Sequence, residues 1–176
     1  MTVPICDTTC GAPPPPSPPP PPECPTQGAK ISIPDSPQVI DPSFTGEEIL
    51  FVIDNFEYLP TDADAANNRI IIGADGLYLI SATITYGANG ATQSVTTCIF
   101  VNGAAIPLDP QGCMMTTSDG TNNMTQNFST LVPLDAGDIV TLNGQTVGEG
   151  GMPVLSAALS VMRQSCDQGI PLAPGG

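Results

Sequence analysis

"GADGLYLISATITYG", residues Gly73 to Gly87, is apolar at every second position between two glycines. Tyr78, Ile80, Ala82, Ile84 and Tyr86 fall on one side of an extended chain, and Ser81, Thr83 and Thr85 fall on the other. A period of two sends alternate side chains to opposite faces of a sheet, so the stretch predicts a strand with one face in a core and the other solvated. Its β-branched and aromatic content suits a pleated, half-buried surface.

The flanking sequence repeats this pattern in shorter pieces. "AKISIPDSPQVI" and "EEILFVIDNFEYL" read as strands, the second with Leu50, Val52 and Asp54 opposite Phe51, Ile53 and Asn55. "PTDADAANNR" reads as a polar loop ahead of Ile70, Ile71 and Ile72. "TQSVTTCIFVNGAAIPL" predicts a strand, a turn at Asn102 and Gly103, and a short return strand, because Asn-Gly tolerates the positive φ of a type I′ turn. "NMTQNFSTLVPL" alternates again, with Met124, Phe128, Val132 and Leu134 on one side, and "DAGD" (Asp135 to Asp138) turns the chain into "IVTLNG". A glycine-rich loop, "GQTVGEGGMP", leads to the last strand, "VLSAALSVMR". Its small residues Ser156, Ala157, Ala158 and Ser160 suit close approach of strands or subunits. Eight to ten short antiparallel strands with no fixed-period repeat predict an all-β chain folded as a jelly-roll β-sandwich.

Three segments follow from composition. Residues 1–29 form a cysteine-containing, proline-rich arm, 30–166 the jelly-roll head, and 167–176 a patternless tail. The run "PPPPSPPPPP", from Pro13 to Pro22, has fixed φ and few amide donors. It therefore favours polyproline II, about 3.1 Å per residue or roughly 30 Å in all. The run is a stiff spacer or an extended arm, and it also contains the spacing that aromatic-grooved domains accept.

With 40% apolar and 11% charged residues, a 176-residue chain is long enough for one well-buried domain. Seventeen acids face only Lys30, Arg69 and Arg163, a net charge of -14. Repulsion from phosphates and anionic lipids argues against nucleic acid and membranes as partners. The start "MTVPICDTTCGAPPPP" lacks the basic beginning and apolar run of a secretory signal, and no segment has the length of a membrane span, so synthesis in a cytosol without general export is expected. Six cysteines are an even count that fits bridges in an oxidising compartment, while the missing signal fits free thiols equally well. Their spacing matches no zinc module, and there is no histidine to complete one. Cys6, Cys10 and Cys24, beside the run bounded by Pro13 and Pro22, are candidates for anchoring the arm or cross-linking neighbouring chains.

The residues point away from an enzyme. No histidine serves as a general base, the only head lysine is the boundary residue Lys30, and the cysteines have no evident activating partner. Asp62 and Asp64 are weak candidates for calcium, whose preference is for hard oxygens, but "DADAANN" lacks the glycine and terminal glutamate of the standard calcium loop. "GQTVGEGG" lacks the Gly-Lys-Ser/Thr ending of a phosphate loop. No cofactor and no catalytic residue is expected.

The order of signals resembles the jelly-roll module of the complement component 1q and tumour-necrosis-factor families, in the style found in bacteriophage and bacterial surface proteins. The resemblance rests on Gly76-Leu77-Tyr78 at the start of a central strand, on "CIFVNG", on "STLVPLDAGDIVTL" and on a small-residue closing strand, "LSAALSVM". It covers about Lys30 to Arg163, and the proline stalk stands where complement-type chains carry a collagen repeat. It implies a homotrimer packed about a threefold axis through an apolar face of each subunit.

The expected function is that of a non-enzymatic trimeric virion surface protein, a capsid decoration or head-fibre component. Residues 1–29 would grip the major capsid protein or another virion protein while the acidic head faces outward. The alternative is a receptor-binding, adhesive head of a phage tail or bacterial surface fibre, touching a host-surface glycan or protein through loops at Ala88 to Gln93, Asp109 to Asn123 and Gly144 to Pro153. A hydrolase is the third class, and turnover assays separate it from both.

Overall fold

A computed structural model describes residues 24–42, 46–58, 60–106 and 112–166. Cys6, Cys10, the run Pro13 to Pro22 and the tail 167–176 lie outside them. The strands are β1 (Gly28–Ile33), β2 (Val39–Ile40), β3 (Glu47–Glu48), β4 (Ile53–Tyr58), β5 (Asp62–Asp64), β6 (Arg69–Ile71), β7 (Gly76–Tyr86), β8 (Gln93–Val101), β9 (Ala104–Ala105), β10 (Cys113–Ser118), β11 (Met124–Leu134), β12 (Ile139–Val147) and β13 (Met152–Ser165). A single 3-10 turn, Ala65–Asn67, separates β5 from β6.

These strands form two antiparallel sheets packed as a jelly-roll sandwich. Sheet I has the order β11-β7-β13-β1-β4, with β2 beside β13. Sheet II has the order β10-β8-β12-β6-β5, with β3 beside β12 and β9 beside β8. β7 alternates as its sequence predicts: Tyr78, Ile80, Ala82, Ile84 and Tyr86 are wholly buried. From sheet II, Val95, Ile99, Val140 and Leu142 close the core against them. The turn at Asn102 and Gly103 has positive φ at both residues, 52° and 79°, as a type I′ hairpin requires. On β11, Phe128, Val132 and Leu134 are buried and Met124 packs at the core's edge.

Several predicted elements are redrawn by pairing. "EEILFVIDNFEYL" is not one strand, because the chain crosses from sheet II to sheet I within it. Ile49 donates its N–H to Leu142 in sheet II at 2.8 Å, and Val52 donates to Ser32 in sheet I at 3.1 Å. Ile49 and Phe51 are buried at the crossing while Ile53 turns outward, so Phe51 and Ile53 do not share a face. "AKISIPDSPQVI" likewise divides into β1 and β2 around Pro34–Gln38, and the strand expected to stop at "IVTLNG" runs on to Val147 as β12.

The polar stretch "PTDADAANNR" is not an open loop. It holds β5, which pairs with β6 through Asp62–Ile71, Ala63–Ile70 and Asp64–Arg69. Ala63 and Ala65 bury their methyls, and the side chains of Glu57 and Asp54 accept hydrogen bonds from their N–H groups. Part of the loop expected at Asp109 to Asn123 is β10, whose pattern is hidden because Met114, Thr116 and Ser118 are a mixed inward row.

Gly144 is a point of close approach between the layers. A Cβ there would lie 2.9 Å from the Tyr86 hydroxyl and 3.1 Å from Ile49 Cδ1. Close-packed interiors give way poorly to added atoms. Gly144→Ala is expected to destabilise the fold by about 1–3 kcal/mol, read as a lower urea midpoint at unchanged slope. An unchanged midpoint would contradict this packing.

Candidate functional site

The seam between the sheets carries a buried polar chain. Tyr86 donates to Thr97 Oγ1 at 2.7 Å, Thr97 donates to Gln126 Oε1, and Gln126 Nε2 donates to the Val95 carbonyl at 3.0 Å. Thr97 has a single hydroxyl proton and spends it on Gln126, so the Tyr86 hydroxyl must be the donor to Thr97. Burial pushes the Tyr86 phenol up to about 12, with the Thr97 bond pulling the other way. This chain is sealed from solvent and tied off at both ends, so it joins the layers and offers a substrate nothing.

Of the two acidic candidates, Asp64 is engaged locally. Asp62 and Asp64 lie on β5, and Asp64 bonds to the Asn67 amide and to Arg69 Nε, each at 2.9 Å. These bonds, the Asn67 amide first, hold its carboxyl below the usual range. Among the described residues no group of three or more His, Cys, Asp or Glu side chains converges as a metal site would require.

Cys24 is bridged to Cys166, with Cα atoms 5.6 Å apart, and this bond closes the base of the arm against the end of β13. Within this pairing Cys24 has no thiol left to link a neighbouring chain. Cys98 and Cys113 form a second bridge, between directly opposed residues of β8 and β10. The sequence left bridges and free thiols open, and for the four cysteines among the described residues spatial adjacency decides for bridges.

Three loops meet at the opposite end of the sandwich. Gly90 donates to the Gly120 carbonyl at 2.8 Å, Asn89 Nδ2 to the Gly151 carbonyl at 3.1 Å, and Ala88 to Asn123 Oδ1 at 3.2 Å. Asp119 accepts from the Thr121 and Asn122 N–H groups and from the Asn122 amide, which pulls its carboxyl down to about 2. On the outward face of sheet II, a hollow of about 40 Å³ is lined by residues including Thr96, Phe100 and Asn143. It has room for a water or two and not for a sugar ring.

The outward face of sheet I is different in kind. β7 presents Leu77, Leu79, Ser81, Thr83 and Thr85, β11 presents Thr125, Asn127, Ser129, Leu131 and Pro133, and β13 presents Ser156, Ala158, Ser160 and Met162. None of these side chains is charged. Register lines up Leu131, Leu79 and Met162 in one apolar row, with Asn127 and Thr83 in another row, bonded to each other at 3.4 Å. Leu131 is half exposed. The alternation in "GLYLISATITY" marks these residues as outward, but only the alignment of three strands makes them one surface.

No family model matches the chain, and no curated protein matches its sequence. Among solved structures, that of murine APRIL at pH 5.0 is similar, with a TM-score of 0.54 over 78% of this chain and 98% of that one at 9% sequence identity. That likeness supports a tumour-necrosis-factor-like jelly-roll fold.

Two outcomes follow from the buried and bridged groups. The unfolded chain releases a tyrosine proton near pH 10.0 and the folded Tyr86 only near 12. Stability is therefore complete below about pH 10 and falls as pH rises towards 12, by about 2 kcal/mol from this group, whereas Tyr86→Phe removes that component of the alkaline loss. Denaturant midpoints between pH 9 and 12 read the difference. Removing the bridge that spans 142 residues, with Cys24→Ser and Cys166→Ser together, is expected to cost about 4–5 kcal/mol by loop entropy. An unshifted melting temperature in that variant would rule the bridge out.

Proposed function

We propose that this chain is a non-enzymatic, homotrimeric surface protein of a virion, displayed by its N-terminal arm with the acidic head outward. One observation carries the reading. In a chain of net charge -14, the outward face of β11, β7 and β13 has no charged side chain and holds an apolar row of Leu131, Leu79 and Met162. Copies with so much like charge repel one another at long range, so an uncharged face is where they meet at least electrostatic cost. The apolar row supplies the attraction and the small hydroxyl side chains beside it let backbones come close. The family resemblance makes a closed trimer the natural form of such contact.

The bridge at Cys24 fixes the arm at one end of the sandwich, and the interlocked loops stand at the other. That polarity supports attachment to a capsid protein through the arm. The rigid loop end supports a second use of the same trimer, as an adhesive head whose tip touches a host glycan or protein.

Light scattering on the full chain is expected to give three times the 18.0 kDa chain mass. Leu79→Glu with Leu131→Glu, which buries charge in the contact, is expected to give a monomer with unchanged circular dichroism. Raising salt from about 10 mM to 150 mM shortens the screening length from roughly 30 Å to 8 Å, so association should tighten and not loosen. A monomeric wild-type chain sinks the assembly, and absence of the chain from purified virions of its source sinks the virion assignment.

A further inference from the structure

A second strip, free of carboxylates, lies on the same sheet, over β1 and β4. Register sets Tyr58 beside Gly28, Phe56 beside Lys30 and Ile53 beside Ser32, all on the outward side. Gly28 also pairs with Met162, whose sulfur occupies the space a side chain at 28 would take. The Phe56 and Tyr58 rings stand 5.6 Å apart at 52° and are 37% and 51% exposed. Asp54 and Glu57 point the other way, accepting the N–H groups of Ala65 and Ala63, so the strip carries no acid. Lys30 has no ion-pair partner among the described residues.

The arm leaves the head beside this strip. Cys24 stands four residues before Gly28 and is held there by Cys166, and the proline run ends at Pro22, two residues further on. We propose that the run Pro13 to Pro22 of the same chain folds back along β1 and β4 and seats its rings against Tyr58, Phe56 and Met162.

Three features select this occupant over any other. Exposed aromatic rings are the surface on which polyproline segments dock, since the preformed helix loses little entropy on binding. A proline run offers carbonyl acceptors and almost no donors. The strip has the reverse character, with the Tyr58 hydroxyl, the Lys30 ammonium and the Ser32 and Ser160 hydroxyls available and no carboxylate competing. Length fits as well: ten residues at about 3.1 Å give roughly 31 Å, and six strand residues at about 3.3 Å give roughly 20 Å. A tether of two residues sets an effective concentration in the millimolar range or above, so even a weak contact is populated. The run then carries Cys10 and Cys6 beyond the far end of β4, away from the Cys24 bridge. The strip adjoins the β11, β7 and β13 face along β13, with Met162 at the border of the two.

Tyrosine nitration tests this directly. The chain has three tyrosines, and Tyr78 and Tyr86 are wholly buried, so modification reads Tyr58. The full chain is expected to nitrate at Tyr58 about fivefold more slowly than a full-length variant whose prolines between 13 and 22 are replaced by alternating glycine and serine. A peptide of residues 11–23, added to that variant at millimolar concentration, should restore protection, and Phe56→Ser in the same variant should abolish the restoration. Equal nitration rates in the two chains overturn the proposal. Light scattering on the same samples reports assembly separately: equal masses with equal rates sink the docked arm alone, while a monomeric mass in both sinks the trimer and leaves the nitration ratio to judge the arm.

Discussion

The pairing of β7 with β13 at the centre of sheet I is the constraint from which the other features follow. β7 has β11 on its other side, and β13 has β1. One face of β7 is a continuous row from Tyr78 to Tyr86 with no exposure at all, so its register cannot slip by one residue without turning that row to solvent. With the register fixed, Leu79 must lie between Leu131 and Met162, and the burial of one row decides which residues make up the outward face. Core and uncharged outer face are two sides of one alternation.

The two layers are fastened to each other by more than apolar contact. Tyr86, Thr97 and Gln126 pass a hydrogen bond from sheet I to sheet II and back, ending on a β8 carbonyl. A fully satisfied polar chain in a low-dielectric seam favours one alignment of the sheets over neighbouring ones, because a shift would leave donors unpaired. Gly144 belongs to the same device, since its missing side chain is the space in which the Tyr86 hydroxyl sits. The bridges act at the periphery: one holds the ends of β1 and β13 together, and the other holds β10 to β8 at the edge of sheet II.

Charge is distributed to match. Carboxylates that point towards the sandwich edge, such as Asp54 and Glu57, cap backbone N–H groups of β5 and the turn after it, and Asp119 closes a loop on itself. The remaining repulsion is carried by surfaces other than the outward face of sheet I. A head with this charge distribution is repelled by anionic surfaces and presents its least repulsive face on the outward side of β11, β7 and β13.

The sequence alone determined the all-β class, the buried face of β7 and the Asn102–Gly103 hairpin, because each is written locally: residue types suited to strands, a period of two, and a turn dipeptide. It misread "EEILFVIDNFEYL" and "PTDADAANNR" because a strand that changes sheets obeys two different inward directions, and because alanine methyls give too weak a signal to mark Ala63 and Ala65 as interior. The motif reading of the jelly roll held because strand order is carried by turn positions spread along the chain. What only the tertiary structure decided is adjacency. Cys24 meets Cys166 across 142 residues, Leu131 meets Met162 through Leu79, and Tyr58 comes to lie beside Gly28 at the start of β1, since hydrogen-bond registers between distant strands, and not any property of the segments themselves, place these side chains together.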